Sequence, residues 1–179
     1  MIRSLKFSLL AALLILLAAP ASSFALASRA QACPAAYSQP NQANLARVSS
    51  ATVCLINYER VSRRVSPLRP NRALTAAAAR HSRDMAARNY FSHSTMGGGS
   101  FTSRIMAARY TNPRGAWSVG ENLAWGTGQL GTPAATVEAW MRSPGHRANI
   151  LKGSFKEIGL GLVLSGPKAI YTTDFGSRG

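Results

Sequence analysis

Residues 158–176 read IGLGLVLSGPKAIYTTDFG. Ile158, Leu160, Leu162 and Leu164 recur at every second position, the period of a β-strand. Gly159 and Gly161 fall between them, so one face of that strand is open to close approach by a backbone or a helix. Ser165-Gly166-Pro167-Lys168 is a turn of hairpin length, and AIYTTDFG (169–176) reads as a last strand.

Working outward from this hairpin, the preceding chain reads mostly as helix. Val48, Ala51, Leu55 and Tyr58 recur at three- and four-residue steps from about Leu45 to Arg63, which predicts an amphipathic helix. Ser66-Pro67 and Arg69-Pro70 then break the chain. A second, alanine-rich helix is expected over Arg72–Asn89, with Leu74, Ala77, His81 and Met85 along one face, and a shorter one around Phe101–Ala108. After Asn112-Pro113 the texture changes, and SVGENLAWG (118–126) reads as an extended segment. Thr132-Pro133 offers an N-cap and a proline at the first helical position. The helix from there buries Val137, Trp140 and Met141 and stops at Pro144-Gly145. Helices first and antiparallel strands later predict a single α+β sandwich domain without internal repeats.

The first 32 residues read as a leader. Arg3 and Lys6 form a basic start, Phe7 to Ala19 an apolar run too short to span a bilayer, and Pro20 ends it. Small-x-small sites place cleavage after Ala27 or after Ala32; a lipoprotein reading exists because Cys33 follows Ala32, but Ala30-Gln31-Ala32 lacks the usual apolar start of such a site. Residues 33–44 have the composition of a linker or a pinned arm. Export makes a Cys33–Cys54 disulfide the expected state of the two cysteines. The formal charge is +15 over 179 residues, and loss of Arg3, Lys6 and Arg29 with the leader leaves +12. This balance favours anionic partners such as envelope polymers or lipid head groups. The arginines are dispersed and not interleaved with aromatics, which argues against nucleic acid.

Several spaced motifs in fixed order carry a resemblance: LINYERVSRR (55–64), MAARNYFSHS (85–94), GENL (120–123), WMRSPGHRANIL (140–151) and DFG (174–176). Over residues 45–179 the chain resembles the CAP superfamily (cysteine-rich secretory, antigen 5 and pathogenesis-related 1 proteins), and within it the bacterial SCP-like branch. The resemblance implies an α-β-α sandwich with a central antiparallel sheet and a cleft lined by two histidines and two acids. Position by position it implies His93, Glu121 and His146. The second acid of the animal and plant members falls here on Ser143, which leaves Glu138 and Asp174 as candidates for an additional contribution.

Two imidazoles and a carboxylate are a ligand set that suits zinc with an open position for water, able to support metal-assisted hydrolysis of a peptide, ester or envelope polymer. The three are scattered along the chain, however, and a hydrogen-bonded network serves equally well. The family carries no universal activity. A secreted, monomeric, non-enzymatic module is therefore expected, binding an envelope component, a small apolar or anionic ligand, or a divalent cation. Sterol binding, which the resemblance implies for some eukaryotic members, is not expected here. The chain lacks their cysteine-rich C-terminal signature and GHYTQ-type motif.

Other candidates weigh less. His81 lies on the apolar face of its helix and reads as a core histidine. Glu138 precedes Arg142 by four residues, the order of a surface ion pair. Ser94 and Ser143 neighbour the motif histidines, but neither sits in G-x-S-x-G. Gly126 to Gly131 (GTGQLG) fits GxGxxG without the parallel βαβ unit a dinucleotide requires, and is expected to be a flexible loop at the cleft rim. In SPGHR, Pro144 and Gly145 turn the chain so that His146 enters the first turn of the next helix, where the helix dipole favours a neutral ring.

Overall fold

The computed structural model describes residues 31–112 and 114–179. In chain order the elements are α1 (Leu45–Val61), β1 (Arg69–Pro70), α2 (Arg72–Arg88), α3 (Phe101–Ala107), β2 (Trp117–Thr127), a 3-10 turn (Gly128–Gly131), α4 (Pro133–Arg142), α5 (Pro144–Leu151), β3 (Glu157–Ser165) and β4 (Lys168–Arg178). The sheet runs β1-β3-β4-β2. The expected α+β sandwich is present: α2 and α3 cover one face, and α1, α4 and α5 cover the other. Apart from Gln31 and Ala32, the predicted leader lies outside the described residues.

Local chemistry sets the helix ends. Asn71 caps α2 by accepting from the amides of Ala73 and Leu74, and Asn89 closes it in the left-handed conformation at φ 52°. Thr132 caps α4 ahead of Pro133, as its sequence predicts.

Strand register then sorts the side chains between layers. Gly159, Asp174 and Glu121 stand opposite one another across β3, β4 and β2. This row faces α2. A methyl group at Gly159 would meet the backbone between Leu74 and Thr75, and one at Gly161 would meet that of Ala78 and Ala79. The glycine face is thus the seat of α2, with Ala77 and Ala78 buried against it. On the other face Leu55, Ile56, Val137, Trp140 and Ile150 pack with Phe155, Ile158, Tyr171 and Phe175.

Two polar ties position the layer that carries His146. Arg60 of α1 is wholly buried, and its guanidinium is satisfied by backbone carbonyls. Its guanidinium donates to the carbonyls of Ser66, Ile150, Lys152 and Phe155 at 2.6–3.1 Å, near the C-terminal end of α5. Burial lowers its pKa, but four carbonyl dipoles accept the charge. Trp140 Nε1 donates to Leu123 O at 2.9 Å and pins α4 to β2. The Cys33–Cys54 disulfide is formed and fastens the N-terminal arm to α1.

Two expectations need correction. Arg69-Pro70, read as a break, pairs in parallel with Glu157-Ile158, so the sheet is mixed rather than purely antiparallel. Proline is tolerated there because β1 is the edge strand. The GTGQLG segment, expected to be a loop, ends β2 and forms a 3-10 turn. Gly126 lies directly against the Leu130 backbone, and Tyr171 donates to Gly131 O at 2.7 Å.

Close packing of α2 on glycine makes a sharp prediction. Gly161→Ala should destabilise the domain by about 3 kcal/mol, because a helix backbone cannot move aside as a side chain can. Gly153→Ala, with nothing near its Cβ, should change stability by less than about 1 kcal/mol. Urea unfolding of both variants checks the contrast.

Candidate functional site

Successive residues of a strand point to opposite faces, so Glu121 turns toward α2 and α3 while Asn122 turns toward α5. The two motif histidines therefore approach β2, the strand at one edge of the sheet, from opposite layers. His93 comes from the segment after α2. Its Nδ1 lies 2.8 Å from Glu121 Oε1. Arg104, on α3, donates to Glu121 Oε2 at 2.5 Å and to the His93 carbonyl at 2.8 Å. The Glu121 side chain is 1% exposed and that of His93 51%, so the imidazole covers the carboxylate and meets solvent.

From the other layer, Asn122 donates to the His146 carbonyl at 3.0 Å. Asn149 Nδ2 donates to Glu121 O and to Asn122 Oδ1. These bonds hold α5 against β2 and leave the half-buried His146 ring without a hydrogen bond among the described residues. Its pKa is lowered by burial first and by the charge of His93 second. Desolvation and this neighbour both favour the neutral ring, the form expected from the SPGHR motif.

The second acid is Asp174, directly across the ladder from Glu121. It is 1% exposed, and its Oδ1 has no hydrogen-bond partner. Burial, then the charge of Glu121, raise its pKa well above the ordinary aspartate value, and a hydrogen bond to Glu121 adds to this. Two adjacent buried carboxyls do not both ionise, and Asp174 keeps the proton. Glu138, the other candidate, is exposed and paired with Arg142 at 3.3 Å. It is not at the site, because the face of α4 that packs inward carries Val137 and Trp140. Ser143, where the family acid would stand, starts α5 without a side-chain cap bond.

His81 is buried as expected, but it belongs to the periphery of this cluster. Its Nε2 lies 2.8 Å from Ser92 O, and its pKa is lowered by burial and by Arg104. Arg104, Asn122 and Asn149 were not anticipated from sequence. The asparagines stand inside the GENL and SPGHRANIL motifs, and that repetition was an available signal. Arg104 had none.

Both oxygens of Glu121 are engaged, and a guanidinium sits on one of them. That carboxylate is neither a free base nor a free metal ligand. Among the described residues no group of three or more His, Cys, Asp or Glu side chains is arranged to hold a metal ion. A His93–Glu121–His146 ligand triad therefore does not fit. Neither the Ser94 nor the Ser143 hydroxyl bonds a histidine among the described residues.

Comparison with known proteins agrees with this architecture. A model of the Cysteine-rich secretory protein family, CAP, matches residues 53–175. An uncharacterized protein of Bacillus subtilis, YkwD, is 37% identical over 121 residues, 68% of this chain and 44% of its own. The chain spans less than half the length of the curated relatives it matches. Among solved structures, an extracellular SCP-domain protein of Bacillus anthracis superposes with a TM-score of 0.60 at 26% identity, covering 78% of this chain and 42% of that one. An outer surface protein of Borrelia burgdorferi reaches 0.61 at 20% identity, covering 71% and 90%, and supports the fold alone. Among the described residues no helix is long and apolar enough to cross a membrane.

The Asp174 proton gives a signed prediction. Its folded pKa lies above the unfolded value of about 3.9, so its contribution is full at acid pH and is lost as pH rises above that value. Asp174→Asn removes the dependence and supplies a donor to Glu121. Relative to the parent, the variant should gain stability between pH 4.5 and pH 7.5 in urea unfolding. A gain at pH 4.5 that disappears at pH 7.5 would contradict the assignment.

Proposed function

The chain belongs to the CAP (cysteine-rich secretory protein) family, and from that premise we propose that it is an exported, non-enzymatic binding module. Its cleft, formed by His93 and His146 over the Glu121–Arg104 pair, receives part of an envelope or extracellular component. The engagement of both Glu121 oxygens carries this reading over a hydrolase. A general base must be free to take a proton from water or substrate, and this carboxylate is committed on both sides. What faces solvent is imidazole, an amphipathic group suited to hydrogen bonding and stacking. Export is supported by the disulfide, by the leader-like first residues and by the extracellular description of the Bacillus anthracis neighbour.

One observation favours a divalent cation as a ligand of this cleft. A histidine whose Nδ1–H is held by a carboxylate presents Nε2 as an oriented lone pair, the usual outer arrangement of a metal-bound imidazole. In its neutral form His93 has that arrangement, and burial favours the neutral form of His146, so the two rings would hold the ion and Glu121 would orient one of them. The ion would supply a positive anchor for an anionic group of the partner.

Both readings are tested on the disulfide-bonded protein. Zinc titration followed by calorimetry should give one site, lost in His93→Ala/His146→Ala with unchanged circular dichroism. Absence of zinc binding by the parent removes the cation reading. Envelope extract should shift the imidazole NMR signals of His93 and His146 without turnover of peptide or ester substrates. Turnover abolished by Glu121→Gln would overturn the binding reading in favour of a hydrolase.

A further inference from the structure

A basin whose lining includes neither His93 nor His146 lies on the α2–α3 side. Between α2 and the 95–107 segment runs an open groove of about 690 Å³, within the size range of small-ligand sites. Its lining is largely apolar, with Ala77, Ala87 and Ala107 among it, and four guanidiniums stand along it: Arg80, Arg83 and Arg88 on α2 and Arg104 opposite. One acid, Asp84, lines it, and that carboxylate already pairs with Arg88 at 3.0 Å and accepts from the Tyr90 hydroxyl.

The rest of the chain offers these cations no relief. Of its six acids, Glu59, Glu138 and Glu157 pair with Arg63, Arg142 and Arg178 away from the groove. Glu121 is shared by Arg104 and His93, and Asp174 is buried beside it. Arg80 and Arg83 have no ionic partner among the described residues. Beneath them His81, which is 1% exposed and lines the same groove, has a polar atom without a partner. Its Nε2 faces the Ser92 carbonyl, which can only accept, so Nδ1 is an acceptor that meets no donor.

We propose that this groove is an anion site distinct from the imidazole cleft, taking a ligand with one or more phosphoryl groups. A metal cation is excluded by the four guanidiniums. Arginine forks match the tetrahedral oxygens of phosphate and bind them in pairs. Arg80 to Arg88 spans about 12 Å of helix, enough for a row of phosphoryl oxygens and long for a single carboxylate. A hydroxyl on the ligand, or a water it orders, gives His81 Nδ1 the donor it lacks. Arg104 lines the groove and also holds Glu121, so a ligand here touches the support of the cleft. The phosphoryl group is either free in solution or part of a lipid head group.

The test uses the disulfide-bonded protein with two probes at low and at physiological salt: pyrophosphate by calorimetry, and phosphatidylglycerol against phosphatidylcholine vesicles by co-sedimentation. Pyrophosphate binding assigns a free phosphoryl ligand. Binding to phosphatidylglycerol vesicles alone assigns a head group. In either case Arg80→Gln/Arg83→Gln should weaken binding about tenfold or more. These side chains are exposed and glutamine keeps the helix propensity, so the fold should persist, as circular dichroism will report. Arg47→Gln/Arg64→Gln removes the same charge elsewhere and should change affinity less than about twofold. Failure to bind either probe overturns the proposal, and so does equal weakening by the two double variants.

Discussion

The site is organised by one expensive constraint, the burial of the Glu121 carboxylate in the middle of β2. An uncompensated charge there would cost several kcal/mol. Each element around it answers that cost: α3 brings Arg104, the segment after α2 brings His93, and β4 places against it a carboxyl that keeps its proton. The Asn149 amide adds a bond to the Glu121 carbonyl and draws in α5. The cleft is therefore the outer surface of a charge-neutralising cluster. His93 is held by the carboxylate it satisfies, and α5 with His146 by Asn122 and Asn149 on the same strand, which explains how residues from three distant stretches of chain meet without any metal-type spacing.

That arrangement depends on the sheet standing close to α2, and here the sequence was informative. Alternating leucines with glycines between them state both the strand and which face a helix can approach, because the absence of Cβ is a local property with one geometric meaning. Caps were equally readable, since Asn71 and Thr132 act on amides two or three residues away. The CAP resemblance covered His93, Glu121 and His146, and the structure brings these three to one edge of the sheet.

The features that escaped reading are those defined by partners far away in sequence. The β1 pair is two residues long and has no periodicity to detect. Arg104 is one cation in an arginine-rich chain, and only the tertiary fold distinguishes it from Arg109 or Arg114. Nearness along the chain to Trp140 made Glu138 a candidate equal to Asp174. Strand register decides between them, because it sets Asp174 against Glu121 while helical phase turns Glu138 to solvent. The glycine-rich GTGQLG turn misled in the opposite sense. Gly126 and Gly131 serve close packing, and Gly128 supplies the positive φ of the turn.

The same economy of acids shapes how the domain meets its surroundings. With six carboxyls, each paired or buried in the interior, the protein has almost no negative charge left to shield its arginines. Long-range attraction to anions then follows from composition, but composition places no ligand. Placement comes from α2, whose backbone at Leu74–Thr75 and Ala78–Ala79 lies on the glycine strand, and whose solvent edge carries Arg80, Arg83 and Arg88 in helical succession. Arg104 closes that row from the opposite wall and neutralises Glu121 with the same guanidinium. The groove and the cleft are consequently two sides of one side chain, and an anion drawn to the first acts on the charge balance that holds the second.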